Sequence, residues 1–252
     1  EESVSCDEEA TEEDSESSTE ETTQEASVEE SATEIREEES TSGGDVYLAE
    51  TYGDYSYTVS GNDACITGYS GSDTVLKVPA KINGYTVKSI GEKAFGNNTN
   101  LKQVVLPDDI TLIDDKAFIN CYNMISIQLP ANLNTIGWNA FDGCSSLTGI
   151  KIPKTLKDAG VGNIYSPFTN CTALKTIEFE EGLTSIPTGL FYGCSAIEEI
   201  TIPKSVVSIG DQAFYNCTNL KKVTFSPYIT YIGKEAFAYN YSLQSVELPA
   251  AL

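Results

Sequence analysis

Seven phenylalanines impose a register on this chain. Phe95, Phe118, Phe141, Phe168, Phe191, Phe214 and Phe237 follow one another at intervals of 23, 23, 27, 23, 23 and 23 residues. A fixed period of that length marks a repeat architecture, in which each unit packs mainly against its neighbours, so it constrains the fold before any single helix or strand does. The rest of the unit keeps step. Each coil opens on an apolar residue (Leu101, Met124, Leu147, Leu174, Ile197, Leu220, Leu243), and three residues on comes a second (Val104, Ile127, Ile150, Ile177, Ile200, Val223, Val246). Two further on stands a third, from Leu106 and Leu129 to Phe225 and Leu248. Apolar alternation within a short β-branched run predicts a strand with one face inward. Pro107, Pro130, Pro153, Pro203 and Pro249 then stop it, because proline fixes φ and cannot donate to a ladder.

Beyond the proline come two more inward positions, Ile110 and Ile113 in one coil, Leu133 and Ile136 in the next. Gly91, Gly137, Gly210 and Gly233 follow directly, with Asp114 in the same place, and are expected to supply a positive φ. The Ala-Phe pair that closes most coils predicts one or two turns of helix on the outer side. The reading is an α/β repeat solenoid with one short parallel strand per coil. No single coil buries enough apolar surface to offset its own ordering, so neighbouring coils must supply the balance through side-chain stacks and strand pairing.

The run IGWNAFDGCSSLTGIKIP, Ile136 to Pro153, with its Ile-Gly, Ala-Phe, Cys, Leu, Ile and Ile-Pro landmarks, resembles the BspA-like class of leucine-rich repeats, the treponemal 23-residue type. The resemblance covers about residues 55–252. It implies a right-handed leucine-rich repeat superhelix and a bacterial surface protein engaged in adhesion rather than catalysis.

Composition divides the chain. Of its formal charge of −23, residues 1–44 carry 18 acidic groups and one Arg, whereas residues 45–252 carry 20 acidic and 14 basic groups. The first stretch is rich in Ser, Thr and Glu and nearly free of large apolar residues, which predicts a disordered acidic linker spanning roughly 35–40 Å. Cys6 heads an acidic run in the manner of a lipid-bearing lipoprotein cysteine, although Ser3-Val4-Ser5 departs from the usual leucine-led box. No apolar stretch reaches transmembrane length. Residues 45–100 are expected to form the N-terminal cap and a first irregular coil, with Tyr55, Tyr57 and Val59 in a hairpin and a bulge of five extra residues around Asn83-Gly84-Tyr85. Residues 101–252 hold the regular coils, and the 27-residue interval places a four-residue insertion within residues 159–167. The sequence stops at Leu252 in mid-coil without a cap. That predicts either that a longer protein continues, the favoured reading, or that the last strand associates end to end with another copy.

Five cysteines share one repeat position: Cys121, Cys144, Cys171, Cys194 and Cys217, with Asn98 and Asn240 in the flanking coils. Spacing of this kind, without a Cys-x-x-Cys pair or any histidine, is poor metal-ligand geometry, so the ladder reads as small buried groups whose S–H donors face turn carbonyls. The absence of histidine also removes Ser-His-Asp and Cys-His systems and the zinc H-E-x-x-H motif. No phosphate-binding glycine loop is present, an acidic chain without a basic stripe disfavours nucleic acid, and no cofactor is called for.

Recognition is therefore the expected business of this chain. Candidate contacts are Trp138, which stands where other coils have Glu92, Asp115, Asp211 and Lys234 and so is expected to point outward; Tyr165 in the insertion; Tyr192 and Tyr215 after their phenylalanines; and Lys151, Glu178, Glu199 and Lys222 on the outward strand face. The function these residues point to is a non-catalytic, surface-displayed or secreted module binding a host or microbial protein or glycan. The alternatives are an accessory region of a larger carbohydrate-active enzyme and a structural spacer.

Overall fold

The computed structural model describes residues 49–160 and 166–252. The acidic linker of residues 1–44, its Cys6, and Tyr165 of the insertion lie outside the described residues.

The chain winds into a β-solenoid of about seven coils. Each regular coil carries two short strands, not the one expected. The first sheet stacks Val75–Lys77, Gln103–Val105 and Ser126–Gln128 in parallel, with Leu76, Val104 and Ile127 in one inward row. It continues as Gly149–Ile152 on Thr176–Phe179, then Glu199–Thr201 on Lys222–Thr224. The second sheet runs through Tyr85–Ile90, Leu112–Ile113, Thr135–Ile136 and Asp158–Ala159, and resumes as Ser185–Ile186, Ser208–Ile209 and Tyr231–Ile232. Ile113, Ile136 and Ile209 form a buried row here because the residue after each isoleucine donates its N–H to the isoleucine carbonyl one coil back, as Gly137 does to Ile113 at 2.6 Å. A two-residue strand is too short to show alternation, which is why the sequence pattern concealed it.

The third side of each coil is built from turns, and among the described residues there is no helix. The expected helical turns fail for a specific reason. Two residues per coil take a left-handed backbone, Lys116 (φ 57°) and Asn120 (φ 59°) in one coil and Gln212 and Asn216 in another, and such residues do not extend a right-handed helix. Backbone donors then alternate between the coil's own turn and the next coil: Phe118 donates to Ala140 (2.7 Å), Ile119 to Lys116 (2.9 Å), Asn120 to Asp142 (2.7 Å). This side is thus a third inter-coil ladder, folded into turns.

The Ile-Gly glycines also differ from expectation. Gly91, Gly137, Gly210 and Gly233 do not have positive φ. Their need is for closeness: a methyl built on Gly137 would sit inside the backbone of Asp114 and Asp115, and one on Gly210 inside that of Pro187 and Thr188, well under 3.0 Å. Positive φ is found instead in two other columns, and the one present in every coil is the residue two after each phenylalanine, Asn97, Asn120, Gly143, Asn170, Gly193, Asn216 and Tyr239. Asparagine and glycine occupy six of those seven, the types that tolerate this conformation.

The interior is one continuous apolar cluster. Its spine is the phenylalanine file, with successive rings from Phe95 to Phe237 stacked at 4.9–5.7 Å and within 16° of parallel. At the N-terminal end two tyrosines prolong it, Tyr69 at 5.4 Å from Phe95 and Tyr55 at 5.1 Å from Tyr69. Those tyrosines come from an antiparallel meander, Glu50–Tyr52, Tyr55–Ser60 and Asp63–Tyr69, whose last strand pairs in parallel with Tyr85–Ile90. The five extra residues of the first coil make a hairpin, Lys81–Ile82 against Tyr85–Ile90, closed by Asn83 and Gly84 with both φ positive, the two-residue turn that Asn-Gly favours. Asn83 reaches from that turn to donate to the Tyr57 hydroxyl (2.6 Å), which itself donates to Glu50.

Candidate functional site

Because successive strands pair in register, residues one repeat apart, 23 in the regular coils and 27 across the insertion, become neighbours on the outer surface of the first sheet. Lys151 aligns with Glu178 on the adjacent strand, and Glu199 with Lys222, all four exposed. Among the described residues none of these four is in an ion pair, whereas the residues just before the latter two are: Lys221 Nζ lies 2.7 Å from Glu198 Oε2. That contact holds the Glu198 carboxyl below the usual carboxylate range, first through the hydrogen bond from Lys221 and then through its charge, with a smaller contribution from Lys175. The 23-residue separation of Glu198 and Lys221 is the sequence signal that finds this pair.

The N-terminal half of the same face has another character. Gln103, Ser126, Gly149 and Gln128 are uncharged, and Val75 and Ile125 are exposed. An open depression of about 330 Å³ lies at its edge, lined by Lys77, Pro79, Val105, Pro107, Asp108 and Gln128 among others.

The aromatic candidates are on the turn side. Trp138 is half-buried rather than freely projecting, with the Lys116 ammonium 4.5 Å from its ring centroid, a cation–π contact, and its backbone N–H donating to Asp115 Oδ1 at 2.7 Å. Tyr192 and Tyr215 stack at 4.6 Å and 8°, and Tyr239 leans on Tyr215 at 4.8 Å. The Tyr215 hydroxyl is pushed up to about 12, first by desolvation and next by its bond to Tyr239. The structure therefore divides the named residues between two surfaces, a strand face with Lys151, Glu178, Glu199 and Lys222 and a turn side with Trp138, Tyr192 and Tyr215.

The cysteine file is interior. Each thiol of Cys121, Cys144, Cys171, Cys194 and Cys217 lies 3.1–3.6 Å from a phenylalanine carbonyl of the coil before, and Asn240 Nδ2 takes the same place at 3.0 Å from Phe214. Burial pushes the thiols of Cys144, Cys171 and Cys194 well up, and that of Cys217 up to about 12, which keeps them protonated and poor nucleophiles. Among the described residues no group of three or more His, Cys, Asp or Glu is placed to hold a metal ion. No helix of the described residues is long and apolar enough to cross a membrane.

The chain matches the family model described as the BspA type leucine-rich repeat region in six copies, over residues 79–166 and 164–252. No curated protein matches it. Among solved structures it is similar to a leucine-rich repeat protein of T. pallidum, with 26% identity and a TM-score of 0.66 over 77% of this chain and 90% of that one. It is also similar to a leucine-rich cell surface protein of Faecalibacterium prausnitzii, with 29% identity and a TM-score of 0.59 over 80% of this chain and 54% of that one. A leucine-rich repeat protein of Bacteroides ovatus shares the fold at 24% identity and a TM-score of 0.50, over 73% of this chain and 55% of that one. The chain thus spans little more than half the length of the last two. Six matched copies, a 23-residue period and one file of stacked phenylalanines place the chain in the BspA-type leucine-rich repeat family.

Proposed function

We propose that this protein is a non-catalytic adhesion module, displayed on a bacterial surface, that recognises a host or microbial protein or glycan. The observation that carries the reading is the contrast along the first sheet. Its inward row is Val, Ile, Ile, Ile, Ile, Val from Val104 to Val223, whereas the outward residues beside it run Gln103, Ser126, Gly149, Thr176, Glu199 and Lys222. A broad face of short strands, with a freely varied surface over a uniform core, offers the extended contact that solenoids use for macromolecules. The buried, protonated thiols and the lack of any histidine leave thiolate and histidine chemistry without support. In this reading residues 1–44 act as the tether that holds the coils off their anchor, with Cys6 a candidate lipid attachment point, and the F. prausnitzii relative's cell-surface description supports the display.

The test is solid-phase binding of the purified chain to panels of immobilised matrix proteins, mucins and glycans. Binding to one of them is expected to fall at least tenfold in Trp138→Ala or in Lys151→Glu/Lys222→Glu, with the melting profile nearly unchanged. A chain that binds no member of the panels is a spacer instead.

A further inference from the structure

We propose that the strand face of the last coils is a self-complementary charge interface for a second copy of this chain. Its charges fall in stripes that run along the strands. Glu198 and Glu199 are adjacent and exposed on one coil, and Lys221 and Lys222 are adjacent and exposed on the next, with Glu199 and Lys222 aligned in the parallel ladder. Beside them Thr201 pairs with Thr224, two short side chains next to the stripes.

A dimer with an axis parallel to the strands, passing midway between these two coils, sets each acidic stripe against the basic stripe of the other copy. The same contact is then made twice, as an isologous interface requires. Sliding one copy by a single coil brings like charges together, so the stripes select one register as well as one partner. The N-terminal half of the face, with Gln103, Ser126 and Gly149, carries no such pattern.

Net charge opposes this pairing at long range, since each chain carries −23. At physiological salt, however, charges more than about 8 Å apart are largely screened, while the stripes meet at contact distance. Exposed ion pairs are individually weak, so the dissociation constant belongs in roughly the 0.1–1 mM range. Such affinity matters where copies are crowded side by side on a surface.

Sedimentation equilibrium of the full chain tests the idea without any ligand, so its failure leaves the adhesive reading standing. The wild-type chain is expected to dimerise at physiological salt, where the net repulsion is screened, and to dissociate as salt is raised toward about 1 M. Glu198→Lys/Glu199→Lys and Lys221→Glu/Lys222→Glu should each be monomeric alone, with at least tenfold weaker association, and an equimolar mixture of the two should form a heterodimer. A wild-type chain that stays monomeric at physiological salt, homodimers that survive either reversal, or a mixture that fails to associate would each overturn the proposal.

Discussion

The turn side and the strand face of this solenoid receive the same repeat and treat it in opposite ways. On the turn side phenylalanine recurs in every coil, cysteine in five, and asparagine or glycine at the left-handed position two after the phenylalanine in six. On the strand face the outward positions hold almost any polar residue. The difference lies in what each side chain meets one coil away. Phe141 meets Phe118 and Phe168 at 5.3 and 5.1 Å, so a change of shape in one ring is felt by two others. Gln128 is exposed, so a change in its side chain is met mainly by water. Repetition is enforced where a residue packs against its own copies, and the freedom left on the other face is the freedom available for recognition.

The sharpest way to break the turn side is alkali. Cys144, Cys171, Cys194 and Cys217 stay protonated in the fold, while the same thiols in the unfolded chain ionise above about 8.5. Over that window the unfolded state binds fewer protons than the folded one, so stability falls as pH rises, by roughly 1.4 kcal/mol per pH unit for each thiol. Tyr55, pushed up to about 12 mainly by burial, adds to the slope above about pH 10. Denaturant titrations from pH 8 to 11 are expected to show a steep loss. Cys171→Ser/Cys194→Ser, whose hydroxyls can still donate to the same carbonyls, should halve the slope between about pH 8.5 and 10; an unchanged slope would assign it elsewhere.

Next in size is removal of one ring from the file. Phe141→Ala is expected to cost roughly 3–5 kcal/mol and to lower Tm by on the order of 10 °C, because the neighbouring rings are fixed by their own coils and cannot close the gap. Below it comes a pair of glycines that tells two needs apart. Gly210→Ala must push its methyl into the backbone of Thr188 and is expected to cost about 1–3 kcal/mol with local loosening of the stack. Gly193→Ala has open space but a φ of 75°, so its cost should be near 1–2 kcal/mol without any change in coil spacing. Hydrogen exchange at Gly210 N–H, which donates to Ile186 at 2.8 Å, separates the two outcomes.

These cases also show what could be read before the structure. The period, the inward rows and the phenylalanine file were legible because burial in a stack writes the same residue type at the same place seven times. The second strand was not, since two residues such as Leu112–Ile113 are too few to carry a period. Helical turns were misread from Ala-Phe because the deciding residues lie beside that pair, at Lys116 and Asn120. The Asn/Gly column two after each phenylalanine was visible and pointed to positive φ, whereas the glycines credited with it answer to a backbone one coil away that no linear reading displays. On the recognition surfaces the pairing of Glu198 with Lys221 follows from the period alone, but the ammonium of Lys116 over Trp138 depends on side-chain direction and does not.

The smallest effects belong to the strand face, and two adjacent lysines measure how small. Lys221 holds an ion pair with Glu198 and Lys222 holds none among the described residues, yet the pair's side chains are 61% and 51% exposed, so water and salt screen most of their attraction. Lys221→Ala and Lys222→Ala should therefore each move Tm by less than about 2 °C and differ from one another by less than that. What does separate them is titration. In Lys221→Ala the Glu198 carboxyl loses the group that holds it down, and its NMR-detected midpoint should rise toward the ordinary range, while in Lys222→Ala it should stay low. A large loss of stability from either change would mean that this face supports the stack after all, and the freedom assigned to it for binding would then have to be found on the turn side, around Trp138 and the tyrosines.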